Sequence, residues 1–316
     1  MTRPVIGFRY HIVSLAAVLL AVAIGVLLGT TQLSGAIGDD QKAQIRTLSK
    51  DNGDLQAQLK SATALTRSDD TVTTQLAPKL VAGVLKGAKV VVVATPQATD
   101  AGTDGVTKAL QHAGATVTGR VQLTDGYSDP RRAEDAKSFV TGGSQPAGFQ
   151  LPESDDAGVL SGALLSYALL GDKKGDPAAA TTSEILSGFS TLKMLRTDSD
   201  SVAAGDLAVV VSSGAVTGAE PAPRLATLTA LVSSLDNAGR GVVVAGGSAA
   251  AGSTGLIGAV RADQGLASAV SSVDDADRPV GQVATVFALA QEAAGRSGQY
   301  GTAAGAEEPF PSLSAS

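Results

Sequence analysis

The stretch IVSLAAVLLAVAIGVLLGTTQL, residues 12–33, decides how the rest of this 316-residue chain is read. No charged side chain occurs between positions 12 and 38. About 22 residues at about 1.5 Å each cover the roughly 30 Å of a bilayer's hydrocarbon core. Lipid offers backbone polar groups no partner, so the segment must be helical. Arg3 and Arg9 precede it, while Asp39 and Asp40 follow, with Lys42, Arg46 and Lys50 beyond the acidic pair. The short basic flank places residues 1–11 in the cytoplasm and the body of the chain outside an inner membrane. The rival reading is a cleaved signal peptide with Ser34 and Ala36 at its cleavage site. A signal core of about 7–15 residues is shorter than this run. Gly25 and Gly29 form a small-xxx-small pair through which two helices can approach; ordinary membrane-helix glycines explain them as well.

Residues 34–77 carry a second pattern. With Ile45 at heptad position a, Leu48 falls at d, Asn52 at a, Leu55 at d, Leu59 at a and Ala62 at d. Alternating spacings of three and four define a coiled-coil seam, and Asn at a fixes register and favours a parallel pair. The expectation is a stalk joining two copies as a parallel homodimer, helped by a shared anchor that raises the partner's effective concentration. The competing reading packs the seam on the chain's own domain, and Gly53 weakens the helix by about 1 kcal/mol.

Hydrophobic residues make up 44% of the chain but aromatic ones only 3%, so a core must be built from Ala, Val and Leu. The net charge of −6 argues against nucleic acid as a partner, since phosphate binding requires a basic patch. Cysteine is absent, which excludes disulfides and thiolate sites.

Beyond the stalk, a helix is expected to break near Pro78. KVVVVAT at 89–95 is a β-branched run suited to a strand buried on both faces. A helix over 104–113 closed by Gly114 and a strand over 115–124 complete a parallel βαβ unit. Helices are expected from Asp129-Pro130 to 139 and over 158–170, the latter apolar but too short for a second membrane span. Residues 141–152 and 171–177 read as loop and exposed turn, 183–189 as helix, 192–195 as a short strand. Strands over 207–212, 241–245 and 268–273, with helices over 223–237 and 279–294, complete the pattern. The fold class is α/β, a doubly wound sheet of Rossmann or flavodoxin type spanning 78–296. Residues 297–316 are expected to be a disordered tail.

Such sheets bind ligands at the carboxyl ends of their strands. Gly246, Gly247 and Ser248 are weak candidates there: their N–H groups can face an anion at a helix start. A glycine turn in a glycine-rich chain explains them equally well. His112 lies beside Gly114 and is read as an exposed helix-end residue. Asp274, Asp275, Asp277 and Arg278 are read as a solvated loop and helix cap before Pro279. Copper favours sulfur or imidazole ligands. This chain offers only Met194 inside the domain, with His11 and His112 far apart in sequence. No catalytic residue, metal ligand or cofactor is assigned, and no enzyme is expected.

The opening FRYHIVSLAAVLLAVAIGVLLGT, the Leu-spaced stalk, and the C-terminal SSVDDADRPVGQVATVFALAQE followed by SGQYG resemble the MctB/SteB family of actinobacterial envelope proteins. The resemblance implies copper transport or copper homeostasis, with outer-envelope placement as one option. One branch implies an alternative: a dimeric scaffold docking a cell-division or envelope partner of SteA type.

Overall fold

The computed structural model describes residues 8–143, 145–146, 149–172, 175–199 and 201–312, excluding the side chains of 8–10 and 29–40. The flanking charges of Arg3, Arg9, Asp39 and Asp40, the Gly29 half of the glycine pair, Ser34 and Ala36 as cleavage residues, and Lys173 and Lys174 lie outside the described residues. The chain divides into two compact units, Met1–Ser68 and Asp69–Ser316.

The first unit consists of helix α1, which spans Phe8–Leu80 and continues into the start of the second unit. Among the described residues, His11–Leu28 is the one helical stretch long and apolar enough to cross a membrane. Further along, Ile45, Leu48, Leu55 and Leu59 are each 65–69% exposed, so the heptad positions present an apolar row to solvent. Asn52 lies in that row and accepts a 2.7 Å hydrogen bond from Gln56 Nε2.

The second unit opens with the last turns of α1. Pro78 is accommodated inside the helix, near its end, and the chain leaves only after Leu80. Strands β1 (Lys89–Ala94), β2 (Thr116–Leu123), β3 (Leu195–Thr197), β4 (Leu207–Val211), β5 (Val242–Ala245), β6 (Ser271–Val273) and β7 (Gln299–Tyr300) form one sheet in the order β3-β2-β1-β4-β5-β6-β7. All neighbours are parallel except β2 and β3. The chain builds the sheet outward from β1 through β2, then crosses back to place β4 on the other side of β1. The helices are α2 (Asp100–His112), α3 (Ala133–Thr141), α4 (Ala157–Leu170), α5 (Ala179–Thr191), α6 (Pro221–Ala238), α7 (Leu256–Ala262), α8 (Gln264–Ala269) and α9 (Pro279–Ala293).

Both faces of the sheet are covered, which is why β1 and β4 read as unbroken apolar runs. Alternate side chains point to opposite faces. Val91 and Val93 join Leu164 of α4, Phe189 of α5 and Leu231 of α6 in one core. Val90 and Val92 join Leu110 of α2 and Leu289 of α9 in the other.

Several boundaries differ from expectation. Helix α2 begins at Asp100 rather than 104 because Thr99 caps it, its Oγ1 accepting from Gly102 N at 3.1 Å. The 268–273 segment splits into the end of α8 and the short strand β6. Strand β3 lies at 195–197, later than expected, and runs antiparallel to β2. The largest correction concerns the tail. Gln299–Tyr300 forms β7, buried and paired with β6, and the Phe310 ring lies 5.9 Å from that of Phe287. Residues 297–312 therefore belong to the domain.

Candidate functional site

The carboxyl ends of β1, β4 and β5 meet where the strand order reverses. Thr95 N donates to Val211 O at 2.9 Å, Ser212 N to Ala245 O at 2.9 Å, and Gly246 N to Val273 O at 2.9 Å. The Gly246 N–H proposed for an anion is thus committed to the sheet. A Cβ at Gly246 would lie 1.9 Å from Ser212 O, and one at Gly247 would lie 3.1 Å from Asp277 Oδ2 and from Ser213 O. Close backbone packing therefore explains both glycines. The adjacent Asp277 carboxylate repels an anion, and exposed Ser248 opens only a single 3-10 turn.

Asp274–Arg278 is the turn expected before Pro279, with Asp277 exposed, but it is not solvated throughout. Asp274 is completely buried. Its Oδ2 meets Arg261 Nη1 at 2.8 Å, and its Oδ1 accepts from Thr302 N at 2.9 Å and Ala303 N at 3.2 Å. Arg261 also donates Nε to Ser272 Oγ and Nη2 to Tyr300 O, both at 2.8 Å. Gly301 must be glycine: at φ +127° its Cβ would strike the Asp274 carboxylate. Burial, followed by the Asp274 charge, pushes the Asp275 carboxyl up to about 6, and its Oδ1 has no hydrogen-bond partner. Arg278 is not a side-chain cap. It reaches back to α1 and donates Nη2 to Asp70 Oδ1 at 2.8 Å and Nε to the same oxygen at 3.1 Å.

Two functional-looking groups have no local sequence signal. Arg261 sits among small residues, 13 positions from Asp274. Glu292 is buried in α9 and accepts from both the N and Oγ of Ser271 at 2.6 Å. Burial raises its carboxyl to about 7 against those bonds. Met194 is buried in the core among α3–α6 side chains, and His112 is exposed at the end of α2. The structure does not bring them together as a soft-metal site. Among the described residues, no group of three or more His, Cys, Asp or Glu is arranged to hold a metal ion.

These features define an α/β domain with a mostly parallel sheet, preceded by a long helix bearing one apolar stretch. The chain belongs to the MctB family: the family described as "Copper transport outer membrane protein, MctB" matches residues 5–311. It is similar to proteins named copper transporter MctB from Mycobacterium tuberculosis and Mycobacterium bovis, each 31% identical over 313 residues, covering 95% of this chain and 98% of the relative. The Mycobacterium leprae protein of the same name is 31% identical over 311 residues, with the same coverage.

Proposed function

We propose that this chain is a membrane-tethered component of a copper transport system, with copper as its cargo. Family membership over nearly the whole chain carries the reading. In this reading His11–Leu28 is a single helical anchor, with the N-terminus cytoplasmic and the α/β domain on the far side. The stalk pairs two copies in parallel through Ile45, Leu48, Asn52, Leu55, Leu59 and Ala62. The exposed apolar row supports that pairing, since burying four large aliphatic side chains is favourable by about 1.5–3 kcal/mol each before ordering costs. The reversal between β1 and β4 supports classing the domain as doubly wound, of Rossmann or flavodoxin type.

The one membrane-length apolar helix among the described residues encloses no pore by itself, and the sheet is open, with β3 and β7 at its edges. With no cysteine and few internal Met or His residues, copper ligands are supplied largely by partner proteins. The chain's part is then to tether and position such partners. The test is cellular copper in a deletion strain under copper load, with the full chain restored as control. Accumulation that the chain reverses is expected. Unchanged copper combined with misplaced septa would replace transport by a scaffold for an envelope or division protein.

A further inference from the structure

The last part of α1, residues 69–80, is the first element of the second unit. It has two unlike sides. On one, Arg278 donates Nη2 and Nε to Asp70 Oδ1, and Ala77 packs against the core that contains Val81 and Leu85. On the other, Val72, Leu76 and Leu80 are 54%, 47% and 52% exposed. Residues four apart share one face of a helix, so these three form a single stripe. Among the described residues of the second unit, no other large hydrophobic side chain is exposed to this degree. The contacts of Asp70 and Ala77 hold α1 against the domain and keep the stripe turned outward.

The register identifies what covers it. Counting on from Ile45 at position a, Ala62 is at d, Leu76 is again at d and Leu80 is at a. Val72 falls at g and Ala77 at e, positions that meet across a parallel pair. An unrelated partner would impose no such phase. A second copy paired through the stalk presents the same stripe in the same register, as a two-fold interface requires.

Between the seam and the stripe, positions a and d hold Thr66, Asp69 and Thr73. The apolar contact is therefore interrupted after Ala62 and resumes at Leu76. Asp69 is exposed, so salt screens the repulsion between its two copies. Within residues 71–80 the single charge is Lys79, at the flanking position g, so nothing in the stripe itself repels a second copy. Three side chains fall far short of the roughly 800 Å² per partner of a stable interface. The stripe pairs because the stalk raises the partner's effective concentration.

We propose that Val72, Leu76 and Leu80 dock on the same stripe of a second copy, so that the two α/β domains are joined at their first helix as well as through the stalk. The inference rests on the parallel stalk and adds a contact made by the domain itself.

The test places single cysteines at Leu76, Leu80, Thr74 and Asn52 of the full chain, which has none of its own, and oxidises them mildly in membranes. At about 100° per residue, Thr74 lies roughly opposite Leu76 and serves as the control. Disulfide-linked dimer is expected at 52, 76 and 80 and only weakly at 74. Dimer at 52 with yields at 76 and 80 no higher than at 74 overturns the docking and leaves the stalk standing. No dimer at any position overturns both. Crosslinks from 76 or 80 to a different protein, in place of a dimer, also overturn the docking. Analytical ultracentrifugation of the full chain in detergent is the second measurement. Leu76→Asp should weaken self-association about tenfold or more, since each copy loses one buried Leu. Leu76 is exposed in the single chain, so the variant's circular dichroism should match the parent's. An unchanged dissociation constant overturns the proposal.

Discussion

Arg261 and Asp274 form a buried ion pair, with a 2.8 Å contact and side chains only 4% and 0% exposed. Through it α7, β6, β7 and the 300–304 segment are joined. Arg261 reaches Ser272, Tyr300 O and Ala304 O, while Asp274 accepts from Thr302 N and Ala303 N.

Removing one member of that pair leaves the other charged and uncompensated in the interior. Asp274→Ala and Arg261→Ala are each expected to lower unfolding stability by about 3–5 kcal/mol. Urea titration of the full chain, followed by circular dichroism, measures this. A loss below about 1 kcal/mol in both would show that the pair is not what holds the C-terminal segment.

Glu292 gives the domain a specific pH dependence. Its carboxyl is raised to about 7 by burial, from an ordinary value near 4.5. The folded state therefore holds a proton that the unfolded chain releases. This stability is fully present below about 4.5 and is lost as pH rises through about 7, by on the order of 1–3 kcal/mol. Asp275, raised to about 6, acts in the same direction over a lower, overlapping window. Glu292→Gln keeps an oxygen to accept from Ser271 and removes the ionisation. Its melting temperature should exceed the parent's at pH 8 and converge with it at pH 5.

Gly246 should tolerate no side chain. Gly246→Ala puts a methyl 1.9 Å from the Ser212 carbonyl oxygen, where only a backbone shift can make room. A cost of about 1–3 kcal/mol or more is expected. Gly252→Ala is the control, since its nearest neighbour would be Ala249 O at 3.5 Å. That change should stay within about 0.5 kcal/mol. Chemical denaturation of both variants makes the comparison, and equal losses would contradict the packing explanation.

The stalk is tested covalently. The chain contains no cysteine, so Asn52→Cys introduces a single thiol at the centre of the seam. Mild oxidation in membranes should give a disulfide-linked dimer, whereas a cysteine at Lys50, off the seam, should crosslink poorly. Equal yields at both positions would count against parallel pairing.

The sequence alone determined the features that repeat at short range. An uncharged apolar run marks the stretch able to cross a membrane, and unbroken Val runs mark strands covered on both faces. The apolar 158–170 segment reads as a buried helix because burial on all sides leaves no polar face. Each of these follows from what a residue's near neighbours require. The end blocks also carried the family, because they resemble it in consecutive residues.

Only the tertiary structure decided what depends on residues distant in the chain. Asp274 looked solvated because its sequence neighbours are acidic, yet Arg261 and the 302–303 amides make its burial tolerable. Strand β7 is too short to show any periodicity and exists because β6 presents an edge to it. Charge compensation and strand pairing are properties of groups brought together by folding, and no local pattern encodes them.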